Sequence, residues 1–353
     1  MALGLIILAS VTGFFKTGMT TSQVVAQRAE MQQDVRAAIN LVAQDVSMAV
    51  AGMPTGGVAL PYGAGNSGSS HFAVDQTGTA WLPSDNYLGG LLGTPAVPVT
   101  NFMYSLIPNP GKGMQFGVPA VVAATGRAAD AITVIYVDYS TFGQQLPQYQ
   151  VTFPSATSIA LTAPVPAPVP AFFAVDDPAV GIKVGDLILL TNNKNGSVVA
   201  EVTGITPGGG AITFADKDPL NMNQPGAKSG NVQAVSAGGT VAYHVYAVTY
   251  FIDATGPQTR LMRQVNGQVP VPVADNIIAL NFTYDTCDGN TSGASLATCA
   301  NISDPIANGY TPNNIHKVNI SVMGQSLSGQ QAQNMELVTS VSTRDINFKD
   351  RYK

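Results

Sequence analysis

The stretch RAEMQQDVRAAINLVAQDVSMAVAGMP, residues 28–54, carries the clearest helical pattern in the chain. Its apolar side chains recur at steps of three and four, the spacing that places them on one face of an α-helix. Gly52 and Pro54 close the pattern, as a glycine and a following proline commonly do at the end of a helix. We expect a folded head to cover this face, through a stripe that includes Val24, Met31, Val35, Ile39, Val42 and Val46.

The segment before this stretch, MALGLIILASVTGFF, carries no charge over residues 1–15. The helical pattern continues from Lys16 without a break. Residues 1–53 are therefore predicted to form one helix, apolar over 1–15 and amphipathic over 16–53. Such a helix is roughly 75 Å long at 1.5 Å per residue. Its apolar part is expected to lie in a membrane or a filament core, through Leu3, Leu5, Ile6, Ile7, Leu8, Val11, Phe14 and Phe15.

A cleavable signal peptide and a plain signal anchor are the two other interpretations of the N-terminus. Fifteen apolar residues are fewer than the ~20 that cross a bilayer as a helix. A cleavable signal peptide requires a basic beginning, which Met1-Ala2-Leu3 does not offer. A plain signal anchor that tethers an exported head is the remaining alternative.

The composition limits the function classes. The chain has 353 residues and a net charge of −5, and charged residues make up only 10% of it, against about 25% in average soluble domains. No cluster of Lys or Arg occurs, so binding to nucleic acid through its phosphates is not expected. The 36 glycines and 23 prolines favour strands joined by long turns.

The fold class predicted is α+β, a long N-terminal helix packed on an antiparallel β-sheet head with an extra β insertion and long Gly/Pro-rich loops. Residues 54–130 are predicted to be Gly/Pro-rich loops with short strands. Residues 131–240 are predicted to be a β-rich insertion region. Residues 241–353 are predicted to be a C-terminal antiparallel sheet with a disulfide loop.

The strand patterns in the last region are the clearest. Residues 243–253, YHVYAVTYFID, are apolar on both faces, which is typical of a covered central strand. Residues 277–285, IIALNFTYD, alternate, and the residues predicted to share one side are Ile278, Leu280, Phe282 and Tyr284. In residues 316–324 the same pattern turns Val318, Ile320 and Val322 inward.

Cys287 and Cys299, the two cysteines of the chain, close the polar loop DTCDGNTSGASLATC. No Cys or His clusters near them, so a disulfide is favoured over a metal site, with two free thiols as the alternative. A disulfide places the protein in an oxidising compartment, periplasmic or extracellular.

Other chemical motifs are weak. His71, His244 and His316 are far apart in sequence, and each is expected to be a packed or surface side chain. Residues 63–68 match G-x-G-x-x-G but lack the flanking strand and helix of a dinucleotide site. Asp216 and Asp218, like the acids of the cysteine loop, are predicted to be solvated turn residues. We therefore expect no enzyme activity, no cofactor and no metal.

Three stretches carry a resemblance to a known family. The run ALGLIILASV, the stretch of residues 28–54 with Leu41, Asp45, Ala49 and Gly52, and the strand order of residues 242–285 resemble PilW-type minor pilins of type IV pili. The resemblance covers about residues 1–53 and 131–353. The peptidase signature of that class, a glycine, an aromatic residue, an apolar stretch and a glutamate, is absent, so we expect Met1 to lie about nine residues inside the mature protein.

The resemblance implies a structural and assembly protein. It would join other pilins through its N-terminal helix, first in the bacterial inner membrane and then in an extracellular pilus, and prime assembly or lie at the tip. The J-type pseudopilin of type II secretion shares the helix and a large β head. A signal-anchored surface adhesin that binds through the Gly-rich loops around Trp81 is the third possibility.

Overall fold

The computed structural model describes residues 2–343, with long gaps at 62–69, 76–97, 114–128, 166–170, 288–298 and 327–332 and with gaps of one or two residues elsewhere. Strands make up 41% and helices 22%, so the chain belongs to the α+β class that the sequence predicts. The helix comes first and the strands form several sheets behind it.

The N-terminal helix α1 spans Ala2–Met48, 47 residues without a break, and is about 70 Å long. It ends four residues earlier than the glycine predicted to stop it. Its last turn tightens, because Ala49 N and Ala51 N donate to carbonyl groups three residues back. Gly52 then takes a φ of +72°, a conformation that a Cβ would strain.

The strands and remaining helices follow in chain order. A short helix, α2, spans Thr141–Gln145 and is followed by 3-10 turns at Leu146–Gln148, Val232–Val235 and Pro312–Asn314. The strands are β1 Val58–Ala59, β2 Val74–Asp75, β3 Pro98–Thr100, β4 Phe102–Met103, β5 Leu106–Asn109, β6 Ala131–Val137, β7 Gln150–Ser155, β8 Ser158–Thr162, β9 Leu187–Asn192, β10 Gly196–Glu201, β11 Gly204–Ile205, β12 Ala211–Thr213, β13 Val241–Asp253, β14 Arg260–Val265, β15 Val271–Asp275, β16 Ile277–Cys287, β17 Cys299–Ile302, β18 Ile315–Gln325 and β19 Asn334–Ser342.

The largest sheet is built around β13, as the doubly apolar pattern of that strand predicts. β13 pairs antiparallel with β9, β6 and β14 along successive parts of its length. The strand order is β15-β14-β13-β9-β10-β1-β4, and β5 and β6 join beside β13. The residues of β13 are buried from Ala247 to Ile252 because both faces of the strand are covered.

Residues 131–240 do not form one separate insertion. β6, β9 and β10 belong to the large sheet, because each pairs directly or through one neighbour with β13. Only β7, β8, β11 and β12 form a sheet of their own, in the order β11-β12-β8-β7. The β-rich character of this region is a local property of the sequence, whereas its division between two sheets depends on pairing with distant strands.

The C-terminal sheet has the order β17-β16-β18-β19. Val318, Ile320 and Val322 of β18 are buried, as predicted. The predicted face of β16 is wrong at Ile278, which is half-buried on the other side. An irregularity between Ile277 and Ala279 shifts the alternation by one residue, so Ile277 occupies the core position instead.

The main core lies between α1, the large sheet around β13 and the C-terminal sheet, and it draws buried residues from all three. Asp130 ties the sheets together at the start of β6. Its backbone N–H donates to Leu280 O of β16. Its carboxylate accepts from Gly111 N at 2.8 Å and Phe282 N at 2.9 Å. Two further apolar clusters lie on other parts of the large sheet.

Candidate functional site: the helix–head junction

The second half of α1 is embedded in the head. Met31, Val35, Ile39, Val42 and Val46 are all buried in the main core, where α1 lies against β18, β19, β15 and β6. Val24, the first residue of the predicted stripe, is only half-buried and does not belong to this core. The head therefore covers the helix from Met31 onward.

A glycine allows the helix to come close to β18. A Cβ built on Gly324 would clash with Val35 Cγ2 and lie 3.2 Å from Met31 Cγ. Any side chain at this position would push helix and sheet apart. The glycine thus sets how closely the helix packs on the C-terminal sheet.

Asp45 locks the helix to the large sheet through three hydrogen bonds. Tyr136 Oη of β6 donates to Asp45 Oδ1 at 3.0 Å. Tyr250 Oη of β13 and Arg263 Nε of β14 donate to Oδ2, the latter at 2.9 Å. Asp45 is 6% exposed, so the carboxylate would be costly to bury without these partners.

The electrostatics of this cluster keep both tyrosines as hydrogen-bond donors. Burial, reinforced by the charge and hydrogen bonds of Asp45, raises the pKa of Tyr136 and Tyr250 well above the usual range. Burial acts to lower the pKa of Arg263, but the contacts with Asp45 outweigh it and raise that pKa. The two tyrosines therefore remain neutral donors, and Arg263 remains charged, across the pH range in which proteins work.

The first half of α1 lies outside the head. Phe14 is 80% exposed and Phe15 68%, and Val11, Met19 and Val25 are exposed as well. Leu3, Leu5, Ile6, Ile7 and Leu8 lie in the same helix, but their side chains fall outside the described part of the structure. Within the described residues, no helix is both long enough and apolar enough to span a membrane.

A second buried polar cluster surrounds His244, a residue of β13. His244 Nδ1 lies 3.2 Å from Asp138 Oδ2. Nε2 lies 3.3 Å from Asp186 Oδ2, within ion-pair distance but without an aligned hydrogen bond. Burial acts to lower the pKa of His244, yet the two carboxylates outweigh it and raise that pKa to about 9. Burial likewise works to raise the pKa of Asp138, but hydrogen bonds from His244 and Ser140 lower it overall.

This cluster holds strands together. Asp138 follows β6, Asp186 precedes β9 and His244 lies in β13, so one charged imidazole joins three neighbouring strands. His244 and Asp138 are each only 4% exposed, which leaves no surface for a substrate to reach. Of the two positions that the sequence left open for His244, packed or at the surface, the structure has the packed one.

The prediction that Asp216 and Asp218 are solvated is wrong for Asp218, which is 6% exposed. Its carboxylate accepts from Met222 N and Asn223 N, both at 2.7 Å, and it shares a hydrogen bond with Glu201. Burial, reinforced by Asp218, raises the pKa of Glu201, so its carboxyl group stays protonated. Sequence reasoning missed this pair, because Glu201 ends β10 and Asp218 follows β12, so no local pattern shows that their side chains meet.

The disulfide between Cys287 and Cys299 is present, as predicted, and joins the paired ends of β16 and β17. Among the described residues, no group of three or more His, Cys, Asp or Glu is placed to hold a metal ion. Four of the candidates from the sequence lie outside the described residues: His71, Trp81, the glycine-rich residues 63–68 and Asp288 of the cysteine loop.

Among the described residues the junction is thus the best-defined candidate site: a helix whose C-terminal part is embedded, whose N-terminal part leaves the head, and which the buried carboxylate of Asp45 ties to three strands. Sequence reasoning found the apolar stripe and noticed Asp45 as part of a pattern, but it missed every partner of Asp45. No family model, curated protein or solved structure matches this chain.

Proposed function

We propose that this chain is a structural and assembly subunit of the type IV pilin class, a minor pilin of the PilW type. One observation carries the proposal: α1 is embedded in the head from Met31 onward, while its first half leaves the head with Phe14 and Phe15 exposed. This division of one helix is what a subunit needs if it presents a head and joins its neighbours through helices.

The exposed side chains require a cover. Burying a Phe side chain is worth about 1.5–3 kcal/mol. A helix with several large apolar residues in water would therefore gain free energy by binding another apolar surface. Parallel helices of other subunits, or a lipid bilayer before assembly, would supply that cover. The expected partners are therefore other pilins, with the inner membrane as the earlier location and the extracellular pilus as the later one.

The lock at Asp45 supports the same function. A subunit in a fibre must transmit tension between its helix and its head, and a helix held by packing alone can slide along its apolar stripe. Three directional hydrogen bonds to β6, β13 and β14 oppose such sliding, because each would be broken by a shift of one turn. The sequence resemblance to PilW-type pilins and the disulfide, which suits an exported protein, agree with this proposal.

The test is fractionation of the source cells, with one variant in each half of the helix. Phe14→Asp places a carboxylate in the free half, and Gln44→Asp places one at an exposed position of the embedded half. We expect the wild-type chain and Gln44→Asp in sheared surface fibres, and Phe14→Asp to be at least tenfold depleted from them. Unfolding of the purified variants shows that both heads remain folded.

Equal recovery of Phe14→Asp and the wild-type chain in fibres would contradict the proposal. Wild-type protein that associates with membranes but never with sheared fibres would favour the J-type pseudopilin instead, because the same helix–head geometry serves that class. If the chain is instead a signal-anchored adhesin, a foreign membrane anchor in place of residues 2–25 should preserve its adhesion to surfaces.

A further inference from the structure

The outer edge of β19 is the longest open strand edge in the described part of the head. β19 spans nine residues, Asn334–Ser342, at the end of the C-terminal sheet, and among the described strands it pairs only with β18. Its sequence, NMELVTSVS, contains no proline and one charged residue. An edge of this length normally needs protection against pairing with other chains.

The hydrogen bonds at the two ends of the β18–β19 ladder show which groups face outward. Ser326 N donates to Gln333 O, and Thr343 N donates to His316 O. Because hydrogen-bonded pairs alternate in an antiparallel ladder, the odd-numbered residues of β19 bond to β18. The even-numbered residues therefore direct their N–H and C=O groups away from the sheet: Asn334, Glu336, Val338, Ser340 and Ser342.

The other sheet edges in the described part of the head are protected or short. Pro272 lies in β15 at the edge of the large sheet, and Pro154 lies in β7 at the edge of the small sheet. A proline at an edge removes an outward donor and so blocks pairing. The remaining described edges of these three sheets are short, with four residues each in β17 and β5 and two each in β11 and β4. β19 alone among these lacks both devices.

The side chains of β19 suit an apolar, uncharged partner. Met335, Leu337 and Val341 face the helix and pack against the main core, yet each remains half-buried, so their outer sides are open. On the opposite face Val338 is 68% exposed. The one charge is turned back toward the sheet, because Ser321 Oγ of β18 donates to Glu336 Oε1.

We propose that β19 is a strand-addition site that takes an extended, uncharged segment of a different polypeptide, with apolar side chains at alternate positions. The added backbone would bond to the five outward-facing residues, and its apolar side chains would complete the half-buried row beside α1. The site lies on the head and is separate from the free half of the helix.

A second copy of this chain fits the edge less well. Head-to-tail pairing would bring β19 onto β15, where Pro272 blocks the ladder. Symmetric antiparallel pairing about Val338, the middle residue of β19, would point the two α1 helices in opposite directions. This last argument rests on the proposed function, in which neighbouring helices run parallel.

A defined peptide tests the site on the full chain in a nonionic detergent. The probe is a fluorescein-labelled copy of residues 318–325, the uncharged part of the natural antiparallel mate of β19, and its control is a scrambled peptide of the same composition. Val338→Pro and Ser340→Pro each remove one outward donor and leave the bonds to β18 intact. Val338→Thr keeps both the donor and the branched shape, so it is the matched control.

We expect saturable binding of the probe but not of the scrambled peptide, affinity lowered at least tenfold by either proline variant, and Val338→Thr within twofold of the wild-type chain. Thermal melts identify any proline variant that unfolds. A cysteine at position 338 that cross-links to a cysteine in the centre of the probe reports the same pairing without proline.

Absence of binding, or equal affinity in all variants, would overturn the proposal. So would a disulfide-linked dimer of Val338→Cys formed without the probe, because it would assign the edge to a second copy. Probe binding does not depend on assembly through α1, so it remains informative whether or not Phe14→Asp leaves the fibres.

Discussion

Replacing Asp45 with alanine tests the lock between helix and head most directly. The change removes the acceptor of three hydrogen bonds and leaves two tyrosine hydroxyls buried, each at a cost of about 1–3 kcal/mol. Arg263 loses its partner, but its side chain is 24% exposed and regains part of its hydration. Asp45 itself no longer has to be desolvated, which offsets part of the loss. We expect the free energy of unfolding to fall by about 3–5 kcal/mol.

Asparagine at the same position separates charge from shape. It keeps one acceptor oxygen and nearly the same volume, but it removes the ion pair with Arg263, so we expect about half the loss caused by alanine. The matched control is Gln44→Ala, which truncates the exposed neighbour of Asp45 and is expected to change the free energy by less than about 0.5 kcal/mol.

Urea unfolding of the full chain in nonionic detergent, followed by far-UV circular dichroism, measures these differences. Hydrogen exchange locates them: residues 31–48 of α1 should exchange faster in Asp45→Ala while β13 stays protected, because the helix loosens before the sheet opens. A loss below about 1 kcal/mol, or equal losses for alanine and asparagine, would refute the reasoning that the buried carboxylate holds the helix in place.

Four further outcomes are expected from the same urea measurements. Gly324→Ala should cost about 1–3 kcal/mol because its Cβ clashes with the helix, whereas Gly204→Ala, whose Cβ has 3.7 Å of clearance, should be nearly neutral; equal effects would contradict close packing as the cause. The pKa of His244 is raised to about 9 from 6.5, so its stabilisation is complete below pH 6.5 and lost as pH rises through 9; His244→Gln should flatten that decline, and an unchanged profile would count against it. The pKa of Glu201 is also raised, from 4.5 to about 9, so the wild-type chain loses stability as pH rises from 4.5 towards 9. Compared with the wild-type chain at the same pH, Glu201→Gln should therefore be more stable at pH 8 than it is at pH 4. A variant that is less stable than the wild-type chain to the same extent at both pH values would show that the amide does not replace the protonated acid. Reduction of the disulfide, which closes a loop of sequence separation 12, should cost about 2–3 kcal/mol, and an unshifted midpoint would show that the loop contributes nothing.

The sequence predicted the α+β class, the central position of β13 and the buried helix face from Met31 to Val46, but it began that face too early, at Val24. These features are local, because each depends on a period of 3.6 or 2 residues that neighbouring side chains display directly. The face of β16 was misjudged at Ile278 for a reason that is equally local. One extra residue at the start of the strand shifts the alternation, and no residue type marks that place.

The grouping of strands into sheets was harder to predict than the strands themselves. β6 and β9 both join β13 although about a hundred and about fifty residues separate them from it, so the predicted insertion of residues 131–240 divides between two sheets. Asp218 shows the same limit at a site. Its acidic neighbours in sequence suggest a solvated turn, and only the return of the chain to Glu201 makes it a buried pair.

A long helix with one buried face and an apolar beginning over residues 1–15 follows from the amino-acid order alone, because helical periodicity and composition are properties of consecutive residues. What holds that helix to the head depends on the tertiary structure. Tyr136, Tyr250 and Arg263 lie 91, 205 and 218 residues from Asp45, and a carboxylate acquires such partners only when three strands meet beneath it. A hydrogen bond depends on distance in space, and nothing in the local pattern records which distant donors a buried acceptor will meet.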